Sequence, residues 1–306
     1  MDAEKMTVVS FVALESDDEK MRVLSDSSCP VDVTRAGAGD EAWEVREVAV
    51  GHPNAPEDTF RAGARDEHPW VREAAVENPN APEDVIRAGA RDEYWDVRVS
   101  AVGNPSAPED VIRTGVVDEY WDVRVAGVGN PNAPEDVIRA GVADENLWVR
   151  IAAVKNPSAP VGVLRVGARD VCSEVRVVAV GHPSAPEDVI RAGVKDAELG
   201  VREAAVGNRG APVDVLRAGL VDEDSWVRAG AVGNPRAPVG VLRAGADDVS
   251  WRVRAAAAAC LRLTPELAES LSRSKVNEVQ EALAENPVVP ERIRVVARMK
   301  VEAGRR

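Results

Sequence analysis

The chain is short of the residues on which most active sites and metal centres are built. It holds three cysteines and three histidines in 306 residues. Cys29, Cys172 and Cys260 lie 143 and 88 residues apart, so no pair has the spacing of a metal clamp. His52, His68 and His182 form no cluster, and two of them stand where the chain otherwise places a turn asparagine. No Ser-His-Asp order, Cys-His pair or glycine-rich phosphate loop appears. No apolar run approaches the roughly 20 residues of a membrane span. Residues 1–20 are acidic and do not read as a secretory signal. A sparse, odd set of cysteines then points to a reducing cytoplasm. Period-two alternation of polar and apolar residues is also missing, so no strand is expected. Lysine occurs six times among 38 basic residues, and Phe and Tyr twice each, beside abundant Ala, Gly and Val. That bias is the one expected of a GC-rich bacterial genome.

Charge is plentiful but uneven. The net charge of −14 divides into −15 over residues 1–129 and +1 over residues 130–306. The acidic half should repel phosphate, the reverse of a nucleic-acid binder.

What the chain does have is a repeat. Asn-Pro-x-Ala-Pro begins at Asn78, Asn104, Asn130, Asn156 and Asn234, and His-Pro-x-Ala-Pro at His52 and His182. Every step equals the interval from Asn78 to Asn104 or a multiple of it, so the period is twenty-six positions. Degenerate copies carry the register from Asp26 to Cys260, and a last Asn-Pro begins at Asn286. The organisation read from this is an N-terminal helical cap over 1–25, ten repeats over 26–285, and a C-terminal half-repeat and cap over 286–306, with cap helices near 6–24 and 290–301. In the unit 78–103, Pro82 suits a helix start, and Glu83 and Asp84 suit the positive end of the helix dipole. Val85, Ile86 and Gly89 give one apolar face. Asp92 caps a second helix, and Val97 and Ala101 continue its buried face. Gly103 and Asn104-Pro105 end it. The expectation is a helix near 82–90, a second near 94–103, and neither able to bury its face without neighbours. Ten stacked pairs would extend on the order of 90 Å. The glycine closing helix one recurs from Gly37 to Gly245, which implies either a close approach by a neighbour or a positive φ.

The run Asp-x-x-x-x-Val-Arg-x-x-x-Val-x-Asn-Pro-x-x-Pro, clearest at 92–108 and 118–134, resembles the leucine-rich repeat variant family. The resemblance covers nearly the whole chain. It implies an all-α, right-handed superhelical solenoid of alternating α and 3₁₀-like short helices. A described member of that family carries a cysteine-ligated iron–sulfur cluster near its N-terminus. Here only Cys29 lies in that region, which excludes four-cysteine ligation. No metal and no cofactor is expected.

Three ladders run through the repeats. Arginines of helix one include Arg61, Arg87 and Arg113. Arginines of helix two include Arg98, Arg124 and Arg150. Aspartates such as Asp92, Asp118 and Asp144 stand six residues before the latter. The aspartates are expected to cap helix two and to contact a helix-two arginine such as Arg98 or Arg124; the alternative is a guanidinium track for acidic partners. Tryptophans recur at two adjacent positions, Trp43, Trp95, Trp121 and Trp251 at one, Trp70, Trp148 and Trp226 at the next. They either cover a helix junction or anchor a partner. With no catalytic constellation, the expected function is a non-enzymatic protein-binding scaffold, monomeric, with no membrane partner. Glu83, Asp84, Glu109 and Asp110 beside Trp95 and Trp121 are the expected surface for a basic, extended protein segment. The alternative is a nucleic-acid role, either an acidic DNA mimic or DNA/RNA contact through the C-terminal half.

Overall fold

Proline and glycine punctuate every repeat, and the backbone follows that punctuation. In the computed structural model, which describes residues 3–304, Pro82 is extended at φ −63° and ψ 149° and immediately precedes helix one, Glu83–Gly89. A short turn leads to helix two, Trp95–Gly103, after which Asn104 is extended again. The proline thus stands one place before the helix rather than within its first turn. Among the described residues there are 23 α-helices, one 3₁₀ helix at Ala3–Lys5, and no strand. Both helices of each repeat are α-helical, so the α/3₁₀ alternation implied by the family resemblance is not what this backbone adopts. No described helix is long and apolar enough to cross a membrane.

The chain forms two compact units, residues 1–160 and 161–306. In the first, helices Val8–Val12 and Asp17–Leu24 precede five helix pairs that end at Lys155. The second has five pairs from Val161 to Glu285, closed by the 14-residue helix Glu291–Gly304. The stretches expected as caps contain helices Val8–Val12 and Asp17–Leu24 at the start and Glu291–Gly304 at the finish; residues 1–2 and 305–306 lie outside the described residues. Within each unit the fold is an all-α repeat solenoid in which each helix two packs on the next and each helix one on the helix two beside it.

Small side chains build the core. Val85, Ile86, Val97, Ala101 and Val102 are at most 2% exposed, as are most of their equivalents in the neighbouring repeats. Such thin layers require close helix contact, and the recurrent glycine provides it. A Cβ at Gly115 would stand 2.4 Å from Val102 Cγ1, and at Gly89 2.5 Å from Val76 Cγ1. No described residue has a positive φ, so of the two expectations close approach is the cause.

Two side-chain ladders tie neighbouring repeats. Buried Asn104 donates its amide to the carbonyls of Val76 (2.7 Å), near the end of repeat 52–77, and Asn78 (3.0 Å), which opens the next repeat, and its Oδ1 accepts from the Ser106 N–H. Asn130 repeats this pattern on Val102 and Asn104. Cys260 cannot donate such bonds, but its carbonyl still accepts from Asn286. The second ladder is ionic. Arg98 grips Asp118 in two-pronged fashion, Nε to Oδ2 at 2.7 Å and Nη2 to Oδ1 at 3.0 Å, while its Nη1 donates to the carbonyls of Asp92 and Glu93. Arg124 meets Asp144 in the same way, and Arg150 Nη1 takes the Asp144 carbonyl.

The aspartates thus contact helix-two arginines as expected, Arg98 and Arg124 taking Asp118 and Asp144, but the arginine expected for Asp92 itself is corrected. Its partner is Arg72, twenty residues earlier, and Arg98 reaches only its backbone. Asp92 is also not itself the residue that caps helix two. Tyr94 occupies that place, and Asp92 Oδ1 accepts the Tyr94 N–H at 2.9 Å.

Candidate functional site

The aromatic residues gather at the start of helix two in residues 1–160. Each repeat offers one or two rings within three consecutive positions, and Trp43 and Trp95 each reach a ring of the following repeat. Trp43 stacks on His68 with ring centroids 4.0 Å apart, and Trp70 packs edge-on against both. Trp95 stacks on Tyr120 at 6.0 Å. Arg72 lies over Tyr94 and Arg98 over Tyr120, both 5.3 Å from the ring centroid. These two ladder arginines thus each lie against one face of a tyrosine ring. Trp70, Tyr94, Trp95, Tyr120, Trp121 and Trp148 are all exposed, Trp148 to 56%.

Carboxylates border this row. Glu67 and Glu145 are each 93% exposed beside it, and Glu93 and Glu119 hold the same place in the repeats between. On helix two, Asp96 and Asp122 directly follow the tryptophans. Further along that helix, burial pushes the Glu47 and Glu73 carboxyls above the ordinary range. At Glu73 a hydrogen bond from Ser100 opposes the rise, while Asp96, Glu77 and Glu47 add to it. Glu47 and Glu77 also line an open groove of 590 Å³ with Leu24, Val48, Ala74 and Pro79. Like charges held this close favour a cation nearby.

The expected site residues fall in two places. Trp95 and Trp121 are the first residues of their helices and belong to the aromatic row. Glu83, Asp84, Glu109 and Asp110 begin helix one instead, after the Asn-Pro turn that closes the preceding helix two. Their charges are answered within the chain. Arg61 pairs with Asp84 at 2.9 Å, Arg87 with Asp110 at 3.0 Å and with Glu83 at 2.8 Å, and Arg113 with Glu109 at 2.5 Å. The guanidinium of Arg61 holds Asp84 below the usual carboxylate range, and that of Arg87 does the same for Asp110. Among the described residues no hydrogen bond or ion pair joins these four carboxylates to Trp95 or Trp121. The carboxylates that flank the tryptophans are Glu93, Asp96, Glu119 and Asp122. Reading the sequence for acidic pairs at helix starts passed over them, although each is within two residues of a tryptophan.

Among the described residues no three His, Cys, Asp or Glu side chains gather as a metal site. Cys29 and Cys260 are buried, Cys172 is half-buried, and all three are free thiols.

This is the geometry of a helical repeat protein. No family model matches the chain, and no curated protein matches it. Among solved structures it is similar to importin beta crystallised in an ammonium sulfate condition, at 15% identity and a TM-score of 0.39, over 96% of this chain. The chain spans 45% of that protein's length. It is also similar to an engineered protein at 17% identity and a TM-score of 0.16, over 98% of both chains.

Proposed function

We propose that this chain is a non-enzymatic protein-binding scaffold whose helix-two face, within residues 1–160, receives a basic, extended protein segment. One observation carries the reading: a row of exposed aromatic rings with carboxylates next to them along the chain. It lies in a unit with 32 acidic residues against 16 basic ones. A lysine or arginine crossing the row meets a ring face and a carboxylate together. Each cation–π contact is worth about 0.5–2 kcal/mol. The surrounding negative potential would raise the association rate more than the final affinity. It would weaken above about 0.15 M salt, where screening acts within about 8 Å. In this reading the chain is a member of the leucine-rich repeat variant family without the cluster, acts as a monomer in the cytoplasm and uses no cofactor.

The test is fluorescence anisotropy with a labelled arginine- and lysine-rich peptide, read beside tryptophan emission. Reversing the charges of Glu93, Asp96, Glu119 and Asp122 should weaken binding by roughly tenfold or more, equivalent to about 1.4 kcal/mol, with helicity unchanged. Neutralising Glu83, Asp84, Glu109 and Asp110 should cost much less. Equal losses from both sets would defeat this placement of the site. Tight binding of duplex DNA at physiological salt would instead favour the nucleic-acid role.

A further inference from the structure

The ionic ladder changes at its last arginine. In residues 161–306, Arg176, Arg202 and Arg228 each present Nε and Nη2 to an aspartate twenty residues ahead. At Arg228 the two distances to Asp248 are 2.8 and 3.1 Å. Arg254 is the next rung. Its Nη1 is held like the others, by the carbonyls of Asp248 at 2.7 Å and Val249 at 2.9 Å, so the guanidinium is oriented and half-buried. Twenty residues ahead, however, stands Ser274. The serine keeps one of the aspartate's two duties, because its Oγ accepts the Val276 N–H at 3.2 Å as Asp248 accepts that of Ser250. It has no carboxylate for the guanidinium. Among the described residues the Nε/Nη2 edge of Arg254 makes no ion pair or hydrogen bond.

The surroundings change sign as well. Where most other repeats carry glutamate after the aspartate, this one carries Lys275. Arg273 and Lys275 are exposed, and Lys300 Nζ bonds the Ser272 carbonyl in the same turn. We propose that the Arg254 edge and the 272–276 turn form a binding site for a carboxylate supplied by a ligand. A planar two-oxygen group suits it because that group fills the same edge at every neighbouring rung, matching one oxygen to each N–H, whereas chloride offers a single acceptor atom to both. The site lies outside the aromatic row and does not depend on the basic-segment reading.

The experiment follows the Arg254 Nε–H resonance of the full chain during titration with sodium acetate, with sodium chloride at matched ionic strength as the control. A saturable shift with acetate alone is expected. Ser274→Asp supplies the carboxylate in cis; it should abolish that shift and raise the melting temperature. Arg254→Lys should lose the acetate response in the melting temperature. A short aspartate-rich peptide binding more tightly than acetate would identify the source as a protein segment, and equal binding would identify a free small carboxylate. Chloride giving the same shift, acetate still shifting the resonance in Ser274→Asp, or no gain in melting temperature for that variant would each overturn the proposal.

Discussion

At Gly115 a methyl group would stand 2.4 Å from Val102 Cγ1 and 3.0 Å from Cγ2. Both atoms belong to a β-branched side chain with little rotamer freedom, so the helices would have to part. Gly115→Ala is expected to destabilise by about 1–3 kcal/mol through overpacking, despite the better helix propensity of alanine. Gly207 and Gly240 are also helical, yet a Cβ at either meets nothing within 4 Å. There the same substitution should stabilise by about 0.5–1 kcal/mol. Urea denaturation of the three variants reads the sign directly. One loss and two gains are expected, and a gain at Gly115 would refute close packing at that position. Hydrogen bonding, not burial, separates Asn104 from His182, which are both buried. Asn104 spans three backbone groups, whereas His182 replaces an asparagine and its Nδ1 accepts only the Ser184 N–H within its own turn.

Where Arg98 meets Asp118 and Arg87 meets Asp110, neighbouring helix pairs are joined by one enclosed and one open ion pair, and these should differ in strength. Arg98 and Asp118 are 11% and 13% exposed, and the pair is two-pronged. Asp118→Asn leaves that arginine without its counter-charge and should cost about 2–3 kcal/mol. A double-mutant cycle should show clear coupling for Arg98–Asp118 and far less for the exposed Arg87–Asp110 pair, where water screens both groups. Equal couplings would contradict the burial argument. The direction of this ladder was not legible in the sequence. Asp92 lies six residues before Arg98 and twenty after Arg72, and both spacings recur from Arg46 to Arg254. Only the stacking of one repeat on the next selects the second. Helix limits were legible to within a residue, because Pro82, Gly89 and Gly103 act locally. The Asn104 bridge to Val76 and Asn78 was hidden for the opposite reason: a turn already accounts for an asparagine there. The same holds at the candidate site. Asp84 and Asp110 looked available because their partners, Arg61 and Arg87, sit in the preceding repeat, beyond any local pattern.

Over the whole molecule the ladders make stability depend on acidity. Burial alone would push the Asp66, Asp92, Asp118 and Asp144 carboxyls up, but the paired guanidiniums and the capped backbone N–H groups outweigh it and hold them below the ordinary range. A carboxyl depressed in the folded state contributes stability that is complete above its unfolded value, about 3.9. That contribution is lost as pH falls through the lower folded value. Glu47 and Glu73 act oppositely. Their raised folded values give stability below about pH 4.3 that disappears as pH rises through them. Melting temperature should therefore fall steeply below about pH 4, and Glu73→Gln should raise it at neutral pH but not in acid. A Glu73→Gln effect independent of pH would show that its carboxyl is not perturbed.

The register of these contacts also bears on how such a chain changes length. Arg98 meets Asp118, and Arg124 meets Asp144 in the same geometry. If residues 104–129 were excised, Arg98 would face Asp144, Asn130 would face Asn78, and Gly141 would face Val102. Each would find the same chemistry as before. Recombination between misaligned copies of the coding sequence would thus yield proteins one repeat shorter or longer whose joints are already complementary. The number of repeats is a quantity that heredity can tune in whole steps, without first inventing a new interface.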